Sequence, residues 1–491
     1  GHHVFDAADS AFSANLSALE TVELRRWILG TETRRGRARG LRRRVEELIA
    51  SDAPSLEALE AIEHAAEALP SEGWGNRISD EAPRGAAEHF LTLVRRQVYA
   101  RVADPRTPYG LECDAKPPVD GMLEAATELD LALKRMLDPM NDLRKKLMAK
   151  LDDDAEDLES QSRQRIEAVA RSLNRRGEAT IGGWRSMLKS LHDATPAEFV
   201  DWMAIERIDG RDMDVGLHRH WIDPTTPFVE AVVKPAHGLV VTSATLRDGS
   251  GDAEQDWAAA ETRTGANHLL APAIRAEVSS PFDYPRMTRV FIVNDVRKDD
   301  LDQVAAAYRE LFLAAHGGAL GLFTAISRLR AVHGRIAAPL DAAGLPLYAQ
   351  HVDGMNLSTL IDIFRAEQEA CLLGTDAVRD GVDVPGDSLR LIVFDRVPWP
   401  RPDILYKARR AAFGGAAYTD MLTRLRLKQA FGRLIRRASD HGVFVLLDPM
   451  MPTRLLGAFP EGVPITRCGL AEAVAETKVF LSDRRAESSH N

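Results

Sequence analysis

Cysteine is nearly absent from this sequence: Cys113, Cys371 and Cys468 are the only three in 491 residues. Their wide spacing excludes a disulfide framework and a four-thiolate metal site, and it points to a reducing, cytoplasmic setting. Long apolar runs are absent too. No stretch approaches the ~20 apolar residues a helix needs to cross a bilayer. The opening "GHHVFDAADSAF" lacks the basic start and apolar stretch of a secretory leader, so a soluble chain with no membrane partner is expected. A further absence is chemical. No lysine follows a glycine, which excludes the phosphate-cradling GxxxxGKS/T loop from this sequence. Positive charge is in deficit, with 63 Lys and Arg against 73 Asp and Glu for a net charge of −10. That excludes a surface that coats nucleic acid everywhere, but it permits a local basic channel. No repeat at solenoid periods is visible.

What is present suits a globular protein of two to four domains, with 45% apolar and 28% charged residues. Residues 13 to about 205 carry apolar side chains at three- and four-residue spacing, as in "LEALEAIEHAAEAL". This predicts a mostly helical region, with long amphipathic stretches such as 121–173 forming antiparallel helices rather than a mixed sheet. Breaks are expected at "PRTPYG" and at Pro117–Pro118. From about residue 210 the texture changes to short apolar runs: "HGLVVTSATL", "TRVFIVND", "GALGLFTA", "ACLLGTD", "LRLIVFD" and "GVFVLLD". Helical stretches at 301–315, 357–367 and 417–437 lie between them. The alternation predicts a doubly wound parallel sheet, which binds ligands beyond the carboxyl ends of its strands.

Three features read as solvated surface or packing, each with a functional alternative. "RRGRARGLRRR" at 34–44 holds seven arginines and no acid; it is a basic face or a phosphate-backbone contact. The acidic run Asp152, Asp153, Asp154, Glu156, Asp157 lies within a helical pattern and is not expected to hold a metal. In "HRHW", His218 and His220 would share a strand face, but no third metal ligand is evident nearby.

Three stretches carry chemistry. In "QAFGRLIRR" (429–437), roughly 100° per residue of helix puts Gln429, Arg433 and Arg436 on one face and Leu427, Phe431 and Leu434 on the other. Two planar guanidiniums aimed outward suit phosphate oxygens. "VVTSATL" (240–246) reads as a buried strand followed by hydroxyls that can relay hydrogen bonds. "LLGTDAVRDGVDVPG" (372–386) reads as a strand followed by a compact polar loop whose amides can approach phosphates or sugars.

In order and spacing these stretches resemble the carboxyl-terminal half of a DinG/XPD-like superfamily 2 DNA helicase, DinG branch. "VVTSATL" is similar to motif III of that family, "GALGLFTAISRL" to motif IV, "LLGTDAVRDGVDVPG" to motif V and "QAFGRLIRR" to motif VI. "SPFDYPRM" (280–287) and "VPWPRPD" (397–403) resemble its connecting signatures. The resemblance implies an α/β fold of RecA-like doubly wound parallel sheet domains with a large all-helical arch-like insertion. Residues 1–12 would end RecA-like domain 1, with Gly1 and His2 closing a motif II box. The insertion would be 13–205, the return to domain 1 206–284, and RecA-like domain 2 285–491. ATP and Mg²⁺ are the implied cofactors, both needing a preceding stretch. Relatives' four-iron, four-sulfur cluster lies before motif II and so outside this chain. The implied partners are single-stranded and branched DNA, with movement 5′ to 3′, and the chain would be a monomer.

Carried over residue by residue, Arg433, Arg436, Gln429 and His2 would be catalytic. Gly381, Asp383 and Gly432 would bind ATP, and Ser243, Ala244 and Thr245 would couple the nucleotide to DNA. Thr324, Thr375, Asp376 and Lys407 would contact DNA. No metal ligand is expected in this chain. The sequence departs from the family where Ala325 replaces the usual motif IV serine, and where Arg379 and Asp380 replace an aromatic and a glutamate of motif V. The alternative reading is a nucleic-acid-binding or regulatory module that never hydrolyses ATP. A nuclease finds no support in clustered carboxylates.

Overall fold

The computed structural model describes residues 2–33, 36–38, 40–49, 52–153, 158–381, 384 and 386–488. The chain divides into two compact units. One comprises Gly1–Phe5, Val229–Arg401 and Phe413–Asn491, and the other Asp6–Phe228 and Pro402–Ala412.

The second of these is predominantly helical. Its longest helix, Met122–Asp153, buries Leu129, Leu133, Met136, Met140, Leu143 and Leu147 in one stripe and packs against helices Ala53–Ala66 and Ser160–Asn174. Asp152 and Asp153 are exposed at its end; Asp154, Glu156 and Asp157 lie outside the described residues. The region is mostly helical, as its spacing predicts, but not all-helical as the resemblance implies. Strands β1 (Ala14–Ser17), β2 (Leu111–Asp114), β3 (Phe199–Ile208) and β4 (Arg211–Trp221) form an antiparallel sheet in the order β1-β4-β3-β2. β1 and β2 are four residues each, too short to show alternation, and it is their pairing with the long hairpin β3–β4 that makes them strands. His218 and His220 on β4 both lie against Trp202 of β3, with ring centroids 5.4 and 4.9 Å apart. Their Nδ1 atoms meet Asn15 at 2.8 Å and Asp9 at 2.9 Å.

The other unit is built on seven parallel strands: β5 (Thr288–Val293), β6 (Ala319–Leu322), β7 (Leu347–Ala349), β8 (Cys371–Gly374), β9 (Leu391–Phe394), β10 (Gly442–Leu446) and β11 (Ile465–Cys468). Their order is β11-β5-β10-β9-β6-β8-β7. Side chains alternate between faces along a strand, and here both faces are cores. Ile292, Leu320, Leu372, Ile392, Phe394 and Phe444 point into one. Phe291, Ala319, Cys371, Leu391, Val393 and Val445 point into the other. Burial on both faces explains why these strands read as continuous apolar runs. The expected α/β class with a doubly wound parallel sheet is therefore present.

Helices Leu301–Ala315 and Leu357–Ala366 form where expected, started by Asp300 and Asn356, whose side chains accept first-turn N–H groups. One expected strand does not form. Residues 237–246 make no ladder among the described residues, and Val240 is 89% exposed. A β-branched apolar run becomes a strand only where a neighbour pairs with it. The edge strands β7 and β11, three and four residues long, were not anticipated for the converse reason.

Candidate functional site

Because the sheet is all parallel, the carboxyl ends of its strands share one edge. Thr324 follows β6, Thr375 follows β8, Asp395 follows β9, and Asp448 lies two residues past β10. The Asp395 carboxylate is fully buried. It accepts the backbone N–H of Thr324 at 3.3 Å and Nε of Arg328 at 2.6 Å. Burial pushes this carboxyl above its ordinary value, against the pull of Arg328. Asp448 accepts N–H groups from Val397 and Met450, both at 3.1 Å, and Lys298 Nζ lies 3.8 Å away. Thr375 donates its N–H and hydroxyl to Gln350 Oε1 at 3.0 and 2.9 Å. Asp395 and Asp448 went unselected in the sequence, although "LIVFD" and "VLLD" each end a buried run with an acid.

Asp376 is exposed and opens the helix Asp376–Gly381, which Gly381 closes. Asp383 lies outside the described residues, as do the side chains of Arg379, Asp380 and His2; His2 opens helix His2–Phe12. Ala325 is the N-cap of helix Ile326–Ala342 and makes no side-chain cap, so the departure from the family's serine falls where a hydroxyl would accept a backbone N–H. Lys407 is exposed on helix Ile404–Ala412, which belongs to the other unit.

Leu427, Phe431 and Leu434 are buried as their spacing predicts, and with Ile435 they share a core with Val378 and Val384. That core brings the stretches 372–386 and 429–437 together. The helix itself, Ala416–Phe431, stops at Gly432, its C-cap. Arg433 and Arg436 therefore lie in the following turn, not on a helical face with Gln429, which corrects the periodic reading. Gly432 itself keeps right-handed backbone, φ −63° and ψ −7°, so the helix ends without a left-handed glycine, as the chain turns toward β10. Asp440 is buried, and its Oδ2 accepts the backbone N–H of both Arg436 and Arg437 at 2.7 Å. This pins the turn with Arg436 on the exposed side. Gln429 is half-buried, and its Oε1 accepts no hydrogen bond among the described residues.

Ser243 and Ala244 are exposed. Ser243 Oγ accepts Thr245 N–H at 3.1 Å and lies 3.1 Å from the Thr245 hydroxyl. The loop that follows is tied down: Arg263 donates to Leu246 O at 2.6 Å, Lys428 to Arg247 O at 2.9 Å, and Arg424 to Asp248. Neither Arg424 nor Asp248 was singled out in the sequence. Their burial is the only signal, and it needs the fold.

Residues 308–464 match the family of helicase C-terminal domains. The chain is 35% identical over 232 residues to the ATP-dependent helicase DinG of Mycobacterium tuberculosis, covering 45% of this chain and 33% of that one. It is 30% identical over 260 residues to the ATP-dependent DNA helicase YoaA of Escherichia coli, covering 49% and 38%. It is 27% identical over 282 residues to the 3′-5′ exonuclease DinG of Bacillus subtilis, covering 54% and 29%. The chain thus spans about a third of the length of the curated relatives it matches. Among solved structures, S. cerevisiae Dbp5 bound to RNA and ADP BeF3 overlaps 45% of this chain and 52% of its own at 14% identity and a TM-score of 0.31, too low a likeness to bear on the fold.

Proposed function

We infer that this chain, whose carboxyl-terminal portion is that of a DinG-like superfamily 2 helicase, supplies the arginine-finger lobe of an ATP-dependent DNA helicase of repair or replication. One observation carries the reading. The loop stretch 372–386 and the arginine turn share a core at Val378, Val384, Phe431 and Leu434, and Asp440 fixes the backbone of Arg436.

Two guanidiniums and an amide are a fitting donor set for a phosphate. Arg433 and Arg436 would hold the oxygens of a γ-phosphate, where charge develops in phosphoryl transfer, and Gln429 would orient beside them. Fingers of this kind are worth about 10³ to 10⁵ in rate. ATP supplies the phosphoanhydride that is hydrolysed. Gly381, Asp383 and Gly432 would let the backbone approach it. Mg²⁺ would neutralise the phosphates of that ATP, held by one or two carboxylates and by water. Those ligands would come from a preceding stretch ending at His2.

Thr324, Thr375 and Asp376 beyond the strand ends would follow single-stranded DNA, moved 5′ to 3′ and branched in its natural form, and Lys407 of the other unit would make a DNA contact of its own. Ser243 to Thr245 would couple the two ligands. The support for coupling is that the next residues bond to Arg424 and Lys428, on the helix that leads into Gln429. No helix among the described residues is long and apolar enough to cross a membrane. The exonuclease activity named for the Bacillus relative is not carried over to this chain.

The test is Arg436→Ala in the intact protein. DNA-stimulated ATP hydrolysis should fall about 10³-fold, with single-stranded DNA affinity unchanged. Turnover at the wild-type rate would overturn the finger. An intact wild-type protein that binds DNA without hydrolysing ATP would make this the non-hydrolysing module.

A further inference from the structure

Two arginine features stand apart from the chemistry above. One is the stretch 34–44, of which Arg34, Arg35 and Arg39 lie outside the described residues. The other is a single buried side chain, Arg409. The chain passes between its two units at four points, after residues 5, 228, 401 and 412. Arg409 gathers the ends of these passages. It is 8% exposed. Its Nη2 donates to Asp9 Oδ1 at 2.5 Å and to Trp221 O at 3.0 Å, and its Nε donates to Ile222 O at 3.1 Å. Asp9 lies just past the first passage, and Trp221 and Ile222 lie just before the second. Arg409 itself lies just before the fourth. Just past the third, the N–H of Ile404 donates to Glu112 Oε1 of β2 at 2.9 Å. All of these residues belong to the helical unit. The five donors of a guanidinium let one side chain serve a carboxylate and two carbonyls at once.

What Arg409 holds is helix Ile404–Ala412. Lys407, proposed above to contact DNA, is exposed on that helix. Phe413, Gly414 and Gly415 then lead into helix Ala416–Phe431, which ends at the arginine turn. Gly414 and Gly415 stand at φ +92° and +66°, backbone that other residues adopt only with strain. Residues at the ends of elements are where a chain absorbs a change of angle. Such a joint passes on a movement only if the element before it is held. Arg409 holds it.

We infer that Arg409 is a positioning residue for the coupling of nucleotide to DNA. It fixes helix Ile404–Ala412 to Asp9, Trp221 and Ile222, so the passages of chain that leave the helical unit share one anchor. A displacement at Lys407 is then carried through Gly414 and Gly415 toward the arginine turn instead of being lost in a loose strap. The identity of the two ligands rests on the helicase reading above. The anchor itself does not.

The test measures oligothymidylate affinity of the intact protein with and without AMP-PNP, an ATP analogue that resists hydrolysis. Coupling between two ligands is typically about 5- to 150-fold, so the two affinities of the parent should differ by about fivefold or more. Arg409→Ala should bring their ratio close to one, leaving DNA-free ATP turnover and nucleotide-free DNA affinity unchanged. A residue that merely stabilised the fold would not move this ratio. Amide hydrogen exchange across 404–412 should quicken about tenfold or more in the same variant. Breaking so buried a pair strands the Asp9 charge and can unfold a chain, so Glu112→Ala is the second variant. It releases the Ile404 N–H alone and should lower the ratio part of the way. An unchanged ratio in the variants that fold, a parent ratio of one, or unchanged exchange across 404–412 in Arg409→Ala overturns the inference. A parent that binds no AMP-PNP overturns the helicase reading and the coupling with it, while the exchange measurement still decides the anchor.

Discussion

Arg424 and Asp248, far apart in the chain, form a buried ion pair: Nη2 and Nε lie 2.5 and 2.9 Å from one carboxylate oxygen, with 7% and 2% of the side chains exposed. The pair joins the loop after Ser243–Thr245 to the helix that ends before the arginine turn. Beside it Gly249, at φ +85°, and Gly457 approach so closely that a Cβ on either would stand 2.0 Å from the other's carbonyl oxygen. No larger residue fits at either place.

Removing one partner of such a pair strands the other charge in the interior. Asp248→Ala should cost about 3 to 5 kcal/mol in chemical unfolding. Asp248→Leu combined with Arg424→Met should recover most of that, because two apolar side chains carry no desolvation penalty. A single-variant loss below about 1 kcal/mol would mean that the pair is solvated in solution.

Burial, with His220 adding to it, pushes the His218 imidazole down to about 4 from an ordinary 6.5. The folded chain keeps this ring neutral while the unfolded chain protonates it. The stability it contributes is therefore intact above pH 6.5 and is lost as pH falls toward 4, by up to about 3 kcal/mol. Asp9 acts lower. Burial raises its carboxyl, but hydrogen bonds from His220 and Arg409 outweigh this and hold it below 3.8, so its contribution is lost only beneath that value. Unfolding midpoints across pH 6.5 to 4 should fall less in His218→Asn than in the parent. Parallel curves would assign the acid sensitivity to another group.

All three cysteines are buried. Burial pushes the Cys371 thiol up to about 12 and Cys113 up to about 11, and it raises Cys468 as well. Only the thiolate attacks a disulfide reagent. Ellman's reagent should label none of them in the native chain at mildly alkaline pH, and all three in guanidinium chloride. Fast labelling of one thiol before unfolding would show that its element opens.

Five of the sheet's seven strands were legible as apolar runs because they are covered on both faces, and Leu427, Phe431 and Leu434 were legible as a packing face. The same periodicity misplaced Arg433 and Arg436, since it continues smoothly through a chain that turns at Gly432. Thr375 could be picked out at a strand end, and Thr324 only through the family resemblance. What holds those ends, Asp395 on Arg328 and Thr324, and Gln350 on Thr375, could not.

The sequence by itself determined the two textures of this chain, helical and then alternating, and the order of its motifs. Both follow from local periodicity and short-range spacing, which every segment carries within itself. Tertiary structure decided the rest. Residues 237–246 are no strand for want of a ladder, while Ala14–Ser17 is one because Arg211–Trp221 pairs with it. Arg424 is a buried ion-pair partner and not a surface charge because Asp248 meets it in a place closed to water. Pairing and burial are properties of two segments at once, so neither can be read from one.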